Sequence, residues 1–153
     1  MTITAYRITK KAYASSIWSG IGAKITGGRW NSRGIAVIYA AESRALAAME
    51  QLVHLIKPRL LSGYVIASIT FDASLVQRIS IASLQRGWSN PVAPSSLKRI
   101  GDRWIAAGKF PVLAVPSAVI RGEWNYLINP AHPQFHKLQK TRPVPFKYDQ
   151  RLG

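Results

Sequence analysis

The chain contains no cysteine, so three kinds of site are excluded at once. Disulfides, thiolate metal centres and cysteine nucleophiles all depend on that residue. Acidic residues are also scarce, because 6 Asp and Glu stand against 21 Lys and Arg, a formal net charge of +15. Such a charge attracts polyanions, and it leaves nucleic acid, an anionic cofactor and an acidic protein open as partners.

Long hydrophobic runs are missing as well. No stretch approaches the roughly 18 apolar residues that a membrane-spanning helix needs. The opening segment, MTITAYRITKKAYASS, lacks the basic stretch and apolar core of a signal peptide. We therefore expect a cytoplasmic protein with no membrane contact.

The residues that are present have the composition of a packed globular protein. Hydrophobic residues make up 48% of the 153 and aromatic residues 10%, which fits one domain spanning 1–153. The basic residues are dispersed without a long block, which disfavours a disordered nucleic-acid-binding arm. The segment 137–153 contains Pro143, Pro145 and several basic residues, and is consistent with either an ordered arm or a loose tail.

Hydrophobic periodicity predicts alternating helices and short strands. The apolar run IAVIYA (35–40) indicates a buried strand. The next segment, 42–56, has Leu46, Met49 and Val53 at helical spacing before a break at Lys57 and Pro58. Further strands are predicted at 63–71, 110–117 and 123–130, a helix at 95–108 and a short helix at 132–139. This mixed order predicts an α+β fold with short mixed β-sheets flanked by helices.

Several common sites can be set aside. The segment SGIGAKITGG has Ile25 where a dinucleotide-binding fingerprint needs its third glycine, and no Walker motif is present. His132 and His136 have the spacing of helical metal ligands, but no third ligand is nearby, so no metal is expected. Ser117 lacks the flanking glycines of a nucleophile elbow.

The remaining candidates are an arginine, a tyrosine, a glutamate and a serine. Arg29 follows two glycines that permit close backbone approach, and its planar side chain suits phosphate. Tyr39 ends a predicted strand. Glu50 lies beside the apolar stripe of its helix, where a carboxylate is costly unless a cation or hydrogen-bond donors accompany it. Two interpretations of Glu50 stay open: a salt bridge with a nearby arginine, or stabilisation of positive charge on a substrate.

Four segments together resemble one protein family. They are YRI near the start, GGRWNSRGIAVIYAAESRALAAMEQLVH, IGDRW and VPSAVIRGEWNYLINPAHPQF. In this order they resemble the RES domain, the toxin of a toxin–antitoxin pair, over residues of about 6–136. The arginine, glutamate and serine that name the family correspond to Arg29, Glu50 and Ser117. Tyr39 matches an active-site tyrosine of the family, and Asn129 matches a motif asparagine.

The resemblance implies a fold similar to ADP-ribosyltransferase toxins and an enzyme that destroys NAD. NAD would be the substrate, with no further cofactor, and its nicotinamide–ribose bond would be cleaved by water or phosphate. In this hypothesis Glu50 stabilises the developing positive charge, Arg29 binds the pyrophosphate, Tyr39 packs on nicotinamide or ribose, and Ser117 orients the ligand. Lys24 and Arg33 are candidates to add positive potential near the phosphates.

The resemblance also implies an Xre-like antitoxin as partner. The protein would form a homodimer or a hetero-oligomeric complex with that antitoxin, and it would contact nucleic acid only through the antitoxin. Transfer of ADP-ribose to a protein target is an alternative. A basic nucleic-acid-binding module is another, in which Trp88 and Tyr148 would be exposed to stack on bases. A third alternative is a non-enzymatic partner protein in which Glu50 serves only an ion pair.

Overall fold

The computed structural model describes residues 1–55 and 61–153. Three helices occur in the described residues, α1 (Ile21–Thr26), α2 (Arg44–Leu52) and α3 (Ser95–Ala107). The strands of the same residues are β1 (Thr2–Lys10), β2 (Ile38–Ala41), β3 (Tyr64–Asp72), β4 (Val76–Arg78), β5 (Val112–Pro116), β6 (Trp124–Ile128), β7 (Gln139–Lys140) and β8 (Val144–Phe146).

The strands join in one mixed sheet with the order β4-β5-β6-β2-β1-β3-β7, and β8 also pairs with β3. β4 and β5 are parallel, whereas β1 pairs antiparallel with both of its neighbours. The pattern of a mixed sheet with inserted helices confirms the α+β prediction. β1, which the periodicity did not predict, pairs with β3 along its whole length and so occupies the interior of the sheet.

Most predicted elements are confirmed with shorter bounds. The strand predicted at 35–40 begins at Ile38, and the helix predicted at 42–56 begins at Arg44 because extended Ser43 accepts the Leu46 N–H as N-cap at 3.0 Å. The predicted extent to 56 is wrong, because α2 ends at Leu52; the break predicted at Lys57 and Pro58 lies outside the described residues.

The predicted short helix at 132–139 is wrong in extent, because only the 3₁₀ turn Phe135–Lys137 forms. The side chain of His132 accepts the Gln134 N–H at 3.0 Å, so this amide is bonded to a side chain at the point where a helix would begin.

Helices α2 and α3 cover the same face of the sheet. Tyr39 and Ala41 of β2 share this face because they are two residues apart on a strand. Ala41 packs in a cluster with Leu46 of α2, and Tyr39 borders a cluster with Leu97 of α3. Leu46 and Leu97 are almost fully buried, and each contributes about 1.5–3 kcal/mol relative to an exposed side chain. The two helices therefore flank a common region above β2 and β6.

The C-terminal segment is an ordered arm. β7 and β8 extend the sheet along β3, and the Tyr148 hydroxyl donates to the Ala48 carbonyl of α2 at 2.7 Å. Tyr148 is only 3% exposed, so the expectation that it offers a surface ring to nucleic acid is wrong. Its ring packs edge-on against Tyr64 and Phe146, which removes it from solvent.

Across residues 1–55 and 61–153, none of the helices has the length and apolar character to cross a bilayer.

Candidate active site

Glu50 lies in the last turns of α2 and is fixed through one of its two carboxylate oxygens. The Ser117 hydroxyl donates to Oε1 at 2.8 Å, and the Asn125 side-chain amide donates to the same atom at 2.7 Å. Within the described part of the chain Oε2 has no hydrogen-bond partner, and it is not completely buried. The carboxylate is therefore held in one orientation while its second oxygen remains available to a ligand.

The orientation of the Ser117 hydroxyl is fixed by its other hydrogen bonds. Its hydroxyl oxygen accepts the backbone N–H groups of Val119 and Ile120 at 3.1 and 3.0 Å. Because those two donors occupy its lone pairs, the hydroxyl proton is left to point at Glu50. Ser117 has no exposed surface, so it acts on a ligand through Glu50 and not by direct contact. We call Glu50, Ser117 and Asn125 the carboxylate corner.

Asn125 belongs to the site, although the sequence analysis did not single it out. It lies on β6 opposite Ala41, close to the start of α2. It shares a face of the strand with buried Leu127. The sequence carried one signal for Asn125: it is polar at a position where the period-two pattern of the strand predicts an apolar residue.

Arg29 lies in a tight loop that Asn31 organises. The fully buried Asn31 directs its amide at the carbonyls of Ala23, Ser32 and Ile35 at 3.0–3.1 Å. Its backbone also pairs with Gly28 in a bridge. We call residues 28–32 the arginine turn.

Tyr39 of β2 connects the arginine turn to the sheet through two hydrogen bonds. Its hydroxyl donates to the Asn31 side-chain oxygen at 2.6 Å and accepts the Trp30 N–H at 3.0 Å. Burial raises the pKa of Tyr39 well above its usual value, so the phenol stays protonated as that donor. A Cβ on Gly28 would lie 2.5 Å from the Tyr39 hydroxyl, which explains the glycine at this position.

The guanidinium of Arg29 reaches a neighbouring loop. It donates to the Trp88 carbonyl at 2.9 Å and the Pro91 carbonyl at 3.4 Å. Burial lowers the pKa of Arg29, and the negative charge of Glu50 acts in the opposite direction. Arg29 and Glu50 are therefore close enough to interact electrostatically.

Glu50 does not form the salt bridge that the sequence left open. In residues 1–55 and 61–153 the ion pairs are those of the Met1 amine with Asp72 and of Arg151 with Asp149. The donors to Glu50 are neutral groups, so its negative charge is not cancelled by a protein cation in contact with it. Such a carboxylate is suited to a positively charged ligand or transition state.

Three other candidates make no hydrogen bond to Glu50 or Arg29 in the described residues. Lys24 and Arg33 are exposed, and their side chains make no hydrogen bond or ion pair in the described residues. Asn129 follows Asn125 by four residues along the β6 direction, roughly 13 Å, and its side chain accepts the Ala131 N–H at 3.0 Å.

The two histidines at helical metal-ligand spacing have structural contacts instead. His132 accepts the Gln134 N–H through Nδ1, so its Nε2 carries the proton that is donated to the Gly108 carbonyl at 2.8 Å. His136 contacts the Pro133 carbonyl at 2.8 Å. Among the described residues no group of three potential metal ligands is found.

The site and the fold agree with a family assignment. The model of the RES domain matches residues 4–149. The chain belongs to the RES domain family. The match confirms the resemblance and extends past residue 136 into the C-terminal arm.

Relatives of this RES-domain protein are named as toxins. Toxin Res of Photorhabdus laumondii is 36% identical over 148 residues, covering 96% of this chain and 95% of the relative. The Prs ADP-ribosylating toxin of a Sphingobium species is 36% identical over 157 residues, covering 99% and 98%. In the M. tuberculosis MbcT–MbcA toxin–antitoxin complex, one chain has the same fold with a TM-score of 0.65 at 21% identity, covering 96% of this chain and 85% of the other.

Proposed function

We propose that this RES-domain protein is a toxin that cleaves the nicotinamide–ribose bond of NAD and thereby arrests growth. The observation that carries the proposal is the carboxylate of Glu50, which is fixed through Oε1, has no hydrogen-bond partner at Oε2 in the described residues and interacts electrostatically with Arg29. A cation-stabilising group and an anion-binding group that interact in this way fit a substrate with a cationic ring and a pyrophosphate.

The chemistry needs only one carboxylate. Nicotinamide is cationic in NAD, and when the C1′–N bond breaks it takes the electron pair and leaves as a neutral base. No acid has to protonate it, unlike the oxygen leaving group of an ordinary glycoside. Positive charge then develops on the ribose, where the free oxygen of Glu50 stabilises it and holds a ribose hydroxyl. Water or phosphate attacks C1′ to complete the reaction.

The arginine turn accounts for binding of the rest of the substrate. The planar guanidinium of Arg29 suits the pyrophosphate oxygens. The hydroxyl of Tyr39 is already engaged by Asn31 and Trp30, so its ring contributes by packing on nicotinamide or ribose. Exposed Lys24 and Arg33 add positive potential without contacting the reacting bond.

We also propose that an antitoxin neutralises the protein, because the structural relative belongs to a toxin–antitoxin complex. The resemblance points to an Xre-like antitoxin, through which any contact with nucleic acid would run. An acidic partner surface would associate quickly with a chain of formal charge +15. Association measured by stopped flow should therefore slow as salt is raised, and insensitivity to salt would contradict this part of the proposal.

A protein target is a second candidate acceptor. One relative is named an ADP-ribosylating toxin, and transfer to a protein breaks the same bond with the same groups. The two functions differ only in what attacks C1′.

The test is NAD consumption by the purified protein, with and without phosphate, with products identified by mass. We expect free ADP-ribose in plain buffer and ADP-ribose 1-phosphate if phosphate is the acceptor. Glu50→Gln should abolish the loss of NAD. Glu123→Gln is the matched control, because the Glu123 side chain makes no hydrogen bond in the described residues.

Two other outcomes would redirect the proposal. If NAD persists in both buffers but labelled ADP-ribose appears on a protein in a cell lysate, the second candidate is correct. If neither occurs and an RNA or DNA complex survives Glu50→Gln, the nucleic-acid-binding alternative replaces both.

A further inference from the structure

Helix α3 makes a set of contacts with the arginine turn from the side away from the sheet. The Asp102 carboxylate accepts the backbone N–H of Ser32 at 2.9 Å and its hydroxyl at 2.5 Å. One turn earlier, the Lys98 ammonium donates to the carbonyls of Gly28 and, at 3.3 Å, Asn31. The two side chains thus bind both ends of the turn.

Gly101 lies between them and lets the helix backbone touch the turn. A Cβ at this position would overlap the Trp30 carbonyl. Positions 98, 101 and 102 share one helical face, since residues three and four apart are neighbours on a helix. The face is fixed in place by Leu97 and Trp104, which are buried against the sheet.

Lys98 and Asp102 do not form an ion pair with each other. Opposite charges at i and i+4 on a helix commonly pair, but the ion pairs of residues 1–55 and 61–153 do not include these two. Each charge instead bonds to groups of the arginine turn. A charged donor or acceptor makes a stronger hydrogen bond than a neutral one, so these contacts restrict the turn more than a neutral pair would.

We infer that Lys98 and Asp102 are positioning residues for the reaction, acting by holding Arg29 and Tyr39 opposite the carboxylate corner. This inference rests on the proposed cleavage of NAD. Neither side chain is needed at the reacting bond, because each is bonded to the backbone or to Ser32. Their loss should loosen the grip on the pyrophosphate, which is present in both ground and transition states, and so raise KM with little change in kcat.

The experiment compares Lys98→Met and Asp102→Ala with the wild type in two readouts. The first is steady-state NAD consumption, in which KM should rise about 10-fold with kcat within about 3-fold of the wild type. The second is hydrogen exchange of the Ser32 and Trp30 amides, which should lose protection while the amides of α2 keep theirs.

Matched variants separate positioning from general damage. Lys109→Met removes the same charge from an exposed lysine without a hydrogen bond in the described residues, and should leave both readouts unchanged. Asp102→Asn keeps an acceptor for the Ser32 amide and should recover part of the lost affinity. If Asp102→Ala does not fold, Lys98→Met and Asp102→Asn carry the test.

The outcomes are distinguishable from failure of the proposed function. If the wild type consumes no NAD, the proposed function fails, and the amide exchange still reports whether the two residues hold the turn. If the wild type is active and the variants lose amide protection with KM unchanged, the turn does not need them for binding and the inference is overturned. A fall in kcat at unchanged KM would overturn it as well.

Discussion

Glu50 is held by regular secondary structure, whereas Arg29 is held by a loop. The carboxylate corner joins α2, β6 and the residue directly after β5, so its geometry follows from the sheet and its covering helix. The arginine turn lies between α1 and β2 and depends on side-chain bonds from Asn31, Tyr39 and α3. Under the proposed function both groups need fixed geometry, which secondary structure supplies for Glu50 and side-chain hydrogen bonds supply for Arg29.

The largest expected effect is at the carboxylate corner. Glu50→Gln removes the charge but keeps an oxygen that can accept from Ser117 and Asn125. We expect kcat to fall by about 100- to 1,000-fold with KM little changed, because the lost interaction is strongest in the transition state. Single-turnover measurements with NAD, beside circular dichroism to verify the fold, provide the check. If Glu50→Gln keeps kcat but raises KM, Glu50 contributes to substrate binding and not to the transition state, and the roles assigned to the two regions would be reversed.

Arg29→Lys tests the other side of the comparison. Lysine keeps the charge but loses the planar fork and the two bonds to the loop carbonyls. KM for NAD should rise about 10- to 100-fold, the range for losing a hydrogen bond to a charged group, with kcat within about 3-fold. Arg103→Lys, on the exposed face of α3, is the control. If kcat falls instead, Arg29 acts on the transition state and the division between the regions disappears.

Substitutions of Asn125 and Asn129 should affect different properties, the first catalysis and the second stability. Asn125→Ala deletes one of the two donors to Glu50, and kcat should fall about 10-fold. Asn129→Ala deletes the acceptor for the Ala131 N–H and should lower the melting temperature instead. Thermal unfolding and steady-state kinetics on both variants provide the comparison. Equal loss of kcat in both would place Asn129 in the site.

The variant Asn125→Asp tests the contact between residue 125 and Glu50 through the pH dependence of kcat. A second carboxylate against Oε1 raises the pKa of one of the pair, because like charges disfavour ionisation. Glu50 must be ionised to stabilise a cation, so the acid limb of the kcat profile should move to higher pH. An unshifted profile would show that residue 125 does not sense Glu50.

The smallest expected effect is in the C-terminal arm. Tyr148→Phe removes the bond to Ala48 of α2, and the free energy of unfolding should fall by about 1 kcal/mol. The melting temperature should then drop by roughly 2–4 °C, with kcat unchanged. Tyr13→Phe, at an exposed position, should change neither. A fall in kcat for Tyr148→Phe would mean that the arm also stiffens the carboxylate corner.

Several features of the site were accessible from sequence because they are local. The glycines before Arg29 indicated a tight turn, and the Tyr39 hydroxyl lies against Gly28 within it, whereas the close approach of a ligand to this backbone stays a prediction. Helical spacing placed Glu50 beside the buried face of α2, which the structure confirms. Asn125 and the contacts of α3 were not accessible in the same way, because they depend on which strands and helices become neighbours.

By itself, the sequence determined the α+β class, most of the helices and strands, and the presence of a costly carboxylate next to an apolar stripe, because periodicity and turn residues act over a few positions. Only the tertiary structure decided what accompanies that carboxylate. Ser117 and Asn125 are separated from Glu50 by 67 and 75 residues, and they meet it because β6 pairs with β2, which α2 contacts, and β5 pairs with β6. Long-range pairing of this kind is set by the packing of the whole core, and no short window of residues encodes it.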